Sequence, residues 1–179
     1  PANDLDAFKH LLDSNETICA VMLEPIQGEG GVMPLAKEFV EGVAKLAQAK
    51  DILVLVDEVQ TGNGRTGKVY GYMNYQIHPD IVSTAKGLAG GLPMGATMFN
   101  EKTEAVLGAG NHASTFGGNP ICAAGAITIM DRLTDELLAS VVAKGNYIKK
   151  ELDGAPGVKS LSGFGLMLGI ETDANPRSI

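Results

Sequence analysis

The sequence predicts an α/β fold: a mostly parallel sheet with covering helices. Three observations carry this expectation. Short apolar runs at 18–23, 52–56 and 81–85 are separated by a helical stripe and by irregular loops, the alternation of a parallel sheet with crossover helices. The central run, 52–56, is apolar at every position, as a strand buried on both faces should be. The runs are closed by Glu24, Asp57 and Lys86, and right-handed crossovers would gather those three ends at one edge of the sheet.

Leu5, Phe8, Leu11 and Leu12 at helical spacing give a short amphipathic helix over 4–13. The strand 18–23 ends in Glu24-Pro25, and Gly28, Gly30 and Gly31, with Glu29 among them, loosen the next loop. Residues 36–50 place Phe39, Val43, Leu46 and Ala47 on one face and end in lysine, as a surface helix does. After the central strand come the glycines of TGNGRTG, an aromatic-rich loop, the strand 81–85, Lys86 and GLAGGLPMG, with a fourth strand at 96–100. Pro120 can open a helix of small and apolar residues. A second amphipathic helix over 134–153 stops before the turn GAPG. Two short strands, 158–161 and 166–171, are expected to be split by Ser162-Gly163-Phe164-Gly165. The expected organisation is a larger unit over 1–133 and the start of a smaller α+β unit over 134–179.

Composition narrows the partners. The 179 residues can bury one good core. Acids outnumber bases 21 to 14, a net charge of -7 without any basic run interleaved with aromatics, which argues against nucleic acid and anionic membrane as partners. No apolar run has the length of a membrane-spanning helix. Cys19 and Cys122, far apart, suggest reduced thiols in the cytoplasm. His10, His78 and His112 are isolated, so no metal site is expected. The chain begins at Pro1 and opens directly in DLDAFKHLLD, which suggests a fragment or a processed piece.

Asp57 carries the first chemical question. A carboxylate at the carboxyl end of a buried parallel strand sits where open α/β sheets bind ligands, and if it stays ionised there a cation must meet it. Gly62, Gly64 and Gly67 match a dinucleotide fingerprint, but KVYGYMNYQIHPD follows where an amphipathic helix should open. GNGRTGK gives most of a phosphate-binding loop, yet Val69 stands where a magnesium-holding hydroxyl belongs. A turn that redirects the chain is the simpler reading. Lys86 lies between a strand and a loop of Gly87, Gly90, Gly91 and Pro93, so little bulk would bar access to its nitrogen. Such an amine can become a nucleophile that forms a Schiff base, or be a surface lysine in a mobile loop.

The blocks EPIQGEGG, DEVQTGNGRTG, STAKGLAGGLPMGA and HASTFGGNP, in this order and spacing, resemble the class III pyridoxal-phosphate-dependent aminotransferases. The resemblance runs from Asp4 to about Glu171. It implies part of the large domain of a fold type I pyridoxal-phosphate enzyme and the start of its small C-terminal domain. It also implies that Asp57 pairs with the protonated pyridine nitrogen of pyridoxal 5'-phosphate. Gln60 matches the residue near the phenolic oxygen, and Lys86 the lysine that holds the cofactor as a Schiff base and moves the substrate proton. Thr115 matches a residue that reaches the phosphate of the partner subunit in a homodimer. Glu24 and Glu29 match acids that line the substrate side. Arg65 and Thr66 belong to a shared block without an assigned role, and Ser162 stands where the family more usually has arginine.

Within the family, HASTFGGNP and the setting of Lys86 look most like members that move the δ-amino group of N-acetylornithine to 2-oxoglutarate, in arginine biosynthesis. Members acting on ornithine or 4-aminobutyrate stay as alternatives, with a nucleotide-binding module on GNGRTGK as a different class. The family's phosphate cup, stacking ring and carboxylate-binding arginine have no match in this sequence. The chain alone is therefore expected to be inactive and to associate through unpaired strand edges.

Overall fold

The structure is a computed structural model that describes residues 1–173. The first helix, α1 (Leu5–Ser14), is capped by Asp4, whose side chain accepts from the Ala7 N–H. The first strand, β1 (Ala20–Leu23), leads into a small hairpin, β2 (Ile26–Gln27) with β3 (Met33–Pro34). Then come α2 (Lys37–Ala49), β4 (Leu53–Asp57), β5 (Ile81–Thr84) and β6 (Ala96–Phe99). The chain continues through α3 (Pro120–Arg132) and α4 (Asp135–Leu152) and finishes in a hairpin of β7 (Val158–Phe164) and β8 (Met167–Thr172).

The sheet has the order β1-β4-β5-β6. Its first three strands are parallel, but β6 runs antiparallel to β5, with Thr84 opposite Ala96. A parallel return needs a long crossover, usually a helix. The connection 85–95 holds only the one-turn 3-10 helix Lys86–Ala89, so the chain doubles back beside β5.

The main core lies under one face of the sheet. There Val40 and Ala47 of α2 pack with Val54 and Val56 of β4, beside Leu12 and Tyr75. Tyr75 is held in this core with its hydroxyl 3.0 Å from the carbonyls of both Pro25 and Leu35, and burial pushes its phenol up to about 12. Expectation and structure differ at β4. Its residues alternate, with Val54 and Val56 buried while Leu53, Leu55 and Asp57 are half-buried, and Met22, paired with Leu55, is 59% exposed. Within this chain α2 covers one face of β4.

The terminal strands also depart from expectation. Ser162, Gly163 and Phe164 do not interrupt the strand; they pair with Gly169, Leu168 and Met167. Gly163 stays in the ladder at φ +92, where a Cβ would collide with the Met167 carbonyl, and the turn falls after Phe164. The hairpin docks on the glycine turn: the Leu166 N–H donates to the Arg65 carbonyl at 3.0 Å, and Gly165 packs directly on the Arg65–Thr66 peptide. The last part of the region expected as a smaller unit, 174–179, lies outside the described residues.

Candidate active site

The register places the chemistry. Leu23 lies opposite Val56 and Asp57 opposite Ser83, so Glu24, Asp57 and the start of the Lys86 loop reach the same edge of the sheet. Asp57 is the last residue of β4 rather than the first beyond it. One carboxylate oxygen accepts the Val59 N–H at 2.8 Å. Glu24 accepts the Gly28 N–H at 3.0 Å, tying the first glycine loop back to the strand end.

Alternation along the strand separates Asp57 from its neighbour. Glu58, fully buried, turns to the core side. It accepts hydrogen bonds from the Thr61 hydroxyl, from the Gly71 N–H at 2.7 Å and from the Tyr72 N–H at 2.6 Å. Burial pushes its carboxyl above the ordinary range; these hydrogen bonds oppose the shift and the charge of Asp57 adds to it. The effect expected of a buried strand-end acid thus falls on Glu58, while Asp57 lies on the more open side. The DE pair, read with a period of two, contains the signal for this division.

Lys86 follows β5 on the 3-10 turn, exposed, and has φ +48. A lysine in the left-handed region is uncommon, and such outliers mark places where surrounding structure fixes the backbone. It has no ion-pair or hydrogen-bond partner among the described residues. Beside it, Asn63 of the glycine turn, also at positive φ, donates from its side-chain nitrogen to the Ala85 carbonyl and the Thr84 hydroxyl. Sequence reasoning passed over Asn63, although an asparagine between glycines in a turn is a signal for left-handed backbone.

Gln60 lies against Gly28, where a Cβ would overlap its side chain, and its amide nitrogen is 3.4 Å from Glu29. Lys86, Gln60, Asn63, Arg65 and Arg132 line one cleft of about 620 Å³. Glu24 and Asp57 line another, of about 380 Å³, with Gln27 and Phe39. The structure therefore brings Gln60 to Lys86 and Glu24 to Asp57, in two clefts along one sheet edge. Thr115 stands apart from both, exposed in a turn. It does not cap the next helix; Asn119 does, accepting the Ile121 and Cys122 N–H groups. Ser162 donates to the Val32 carbonyl at 2.7 Å and so pins the β7–β8 hairpin to the first glycine loop.

The glycine turn shows no phosphate-loop architecture. It is followed by a short 3-10 helix, Gly71–Asn74, not an α-helix. Gly64 and Gly67 lie under Leu133 and Val142, so the turn is a platform for the helices above it.

The profile of the family Aminotransferase class-III matches residues 2–178. The acetylornithine aminotransferase of Haemophilus ducreyi is 48% identical over 172 residues, covering 96% of this chain and 44% of that protein. The structure of acetylornithine aminotransferase from Elizabethkingia anophelis superimposes with a TM-score of 0.88 at 34% identity, over 98% of this chain and 46% of that one. Ornithine aminotransferase from Plasmodium Yoelii gives 0.85 at 35% identity, over 97% and 48%. The chain spans less than half the length of these relatives. With a family match along nearly the whole sequence and a fold that agrees with it, the chain belongs to the class III aminotransferases.

Proposed function

We propose that the protein to which this chain belongs is an aminotransferase that carries pyridoxal 5'-phosphate on Lys86 and moves the δ-amino group of N-acetylornithine to 2-oxoglutarate. The observation that carries the reading is Lys86 itself: an exposed, unpaired amine on a left-handed backbone, at the sheet edge where Asp57 also ends. Similarity to proteins named acetylornithine aminotransferase favours that donor, and the likeness to an ornithine aminotransferase keeps ornithine as the second choice.

Asp57 suits the ring nitrogen of the cofactor. Asp57 has one oxygen engaged by the Val59 N–H and the other without a partner among the described residues, as needed to receive a protonated ring nitrogen. The cofactor, when bound, supplies an aldehyde and a ring that accepts electrons from the substrate carbon. Lys86 would hold that aldehyde and, once freed, would be the base that moves the substrate proton. Asp57 would keep the ring nitrogen protonated, Gln60 would lie near the ring oxygen, and Glu24 and Glu29 would border the substrate side. Thr115 is assigned to the phosphate of a partner subunit in a homodimer, supported by the exposed Val106, Phe116 and Ile121 around its loop. Residues 1–133 are assigned to the larger, cofactor-binding unit and 134–179 to the smaller one. Cys19 and Cys122 are both free thiols, in keeping with a cytoplasmic protein. No helix among the described residues is long and apolar enough to cross a membrane.

Adding pyridoxal phosphate to the full-length protein should produce the near-visible absorbance of an aldehyde condensed with an amine, and Lys86→Ala should remove it. Absorbance unchanged in Lys86→Ala would overturn the reading. So would binding of NAD or ATP that survives Lys86→Ala but not Gly64→Val.

A further inference from the structure

We infer that Asn63 is a positioning residue for Lys86: its side-chain amide clamps the peptide immediately before the lysine and fixes the direction of the amine. This rests on the assignment of Lys86 above. The Asn63 nitrogen donates to the Ala85 carbonyl at 3.1 Å and to the Thr84 hydroxyl at 3.3 Å. The same Ala85 carbonyl accepts the Leu88 N–H at 3.0 Å, so both of its lone pairs are used just where the chain passes from β5 into the left-handed Lys86. A Cβ at Gly87, on the other side of the lysine, would just come into van der Waals contact with the Asn63 side chain. The backbone is thus held on the strand side of Lys86.

Two further features separate a clamp from ordinary packing. The Asn63 Oδ1 is buried without a hydrogen-bond partner among the described residues, a cost that an apolar side chain would avoid. Turning the amide over would set that oxygen against the Ala85 carbonyl, so the donors must face the lysine loop. Asn63 has φ +55 and Lys86 φ +48; two non-glycine residues in the left-handed region are joined by one amide.

The test uses full-length protein with Asn63→Asp, which keeps the shape but loses the donors, and Asn63→Gly, which accepts the backbone and removes the side chain. Gly67→Ala, in the same turn, serves as a purely structural comparison. Three quantities are read: the rate at which pyridoxal phosphate becomes trapped on Lys86 by borohydride, the rate of trinitrophenylation of Lys86 without cofactor, and the melting temperature. Both Asn63 variants should slow trapping roughly fivefold or more, the scale of one lost hydrogen bond, and alter Lys86 labelling. Gly67→Ala should lower the melting temperature at least as much and leave both rates alone. If Asn63→Asp does not fold, Asn63→Gly decides. Wild-type rates in the Asn63 variants, or equal slowing by Gly67→Ala, would overturn the clamp while Lys86 trapping in wild type still stands. No Lys86 adduct in wild type would overturn the assignment of Lys86 and the clamp with it.

Discussion

Replacing Glu58 by glutamine should destabilise the protein in a pH-dependent way whose sign follows from the burial of the carboxyl. One carboxylate oxygen accepts from both Gly71 and Thr61, and the other from Tyr72. A glutamine can keep only one oxygen there. If its nitrogen faces Tyr72, that N–H loses its acceptor; if it faces Gly71, Thr61 can turn to accept but the Gly71 N–H cannot. Either way one buried donor is left unmet, a cost of about 2 kcal/mol. Burial holds the Glu58 carboxyl above its ordinary value of 4.5. The folded protein therefore binds more protons at this site than the unfolded chain, so the contribution of Glu58 is fully present below 4.5 and declines as pH rises through the folded value. The gap between wild type and Glu58→Gln should be widest in mild acid and narrow toward neutrality. Urea unfolding of both proteins across this range, taken as a difference, cancels other titrating groups. A gap that widens with rising pH would mean that hydrogen bonding outweighs burial at Glu58, and would refute the reasoning.

Gly165→Ala forces a Cβ into the Arg65–Thr66 peptide at φ +54; it should cost more than about 2 kcal/mol, and an unchanged melting temperature would contradict the docking of the last hairpin. Asp57→Asn in the full-length protein should leave attachment of pyridoxal phosphate to Lys86 largely intact but lower transamination about a hundredfold or more, the scale of removing an electrostatic stabiliser; near-normal turnover would remove the role assigned to Asp57. Residues 1–179 alone should associate through the open edge of β1 and the exposed Met22, Phe116 and Ile127, without measurable transamination; a monomer by mass, or turnover that depends on Lys86, would contradict this.

Much of the fold was legible because its signals are local. The α1 and α2 stripes, Pro120 at the start of α3 and the GAPG turn after α4 place the α-helices of the described residues to within a residue or two. The direction of β6 was not legible, since it depends on what the 85–95 connection can span. Gly163 misled because a glycine that breaks one strand can sit inside another where only a missing Cβ lets the partner approach. Of the candidate site, Glu24 and Asp57 could be read as strand ends. The setting of Lys86 could not, because its backbone is held by Asn63 from a turn more than twenty positions earlier. Thr115 carries no local signal in an exposed turn, and its assignment rests on similarity.

The adjacent acids Asp57 and Glu58 show how one sheet edge can be stiff on one side and open on the other. Successive side chains on a strand point to opposite faces, so a pair of carboxylates at its end must divide between core and open side. The inward acid, Glu58, meets three donors that all belong to the glycine turn and the 3-10 helix after it. It therefore fastens the segment that carries Gln60 and Asn63, and Asn63 in turn reaches the peptide before Lys86. The outward acid keeps one oxygen without a partner among the described residues. Exchanging the two residues would leave a shorter aspartate unable to reach the Gly71 and Tyr72 N–H groups, and a longer glutamate reaching past the place where Asp57 ends. The order Asp-Glu, not simply the presence of two acids, is what the geometry requires; the double variant Asp57→Glu, Glu58→Asp should lose both stability and attachment at Lys86, where independent roles would let one survive.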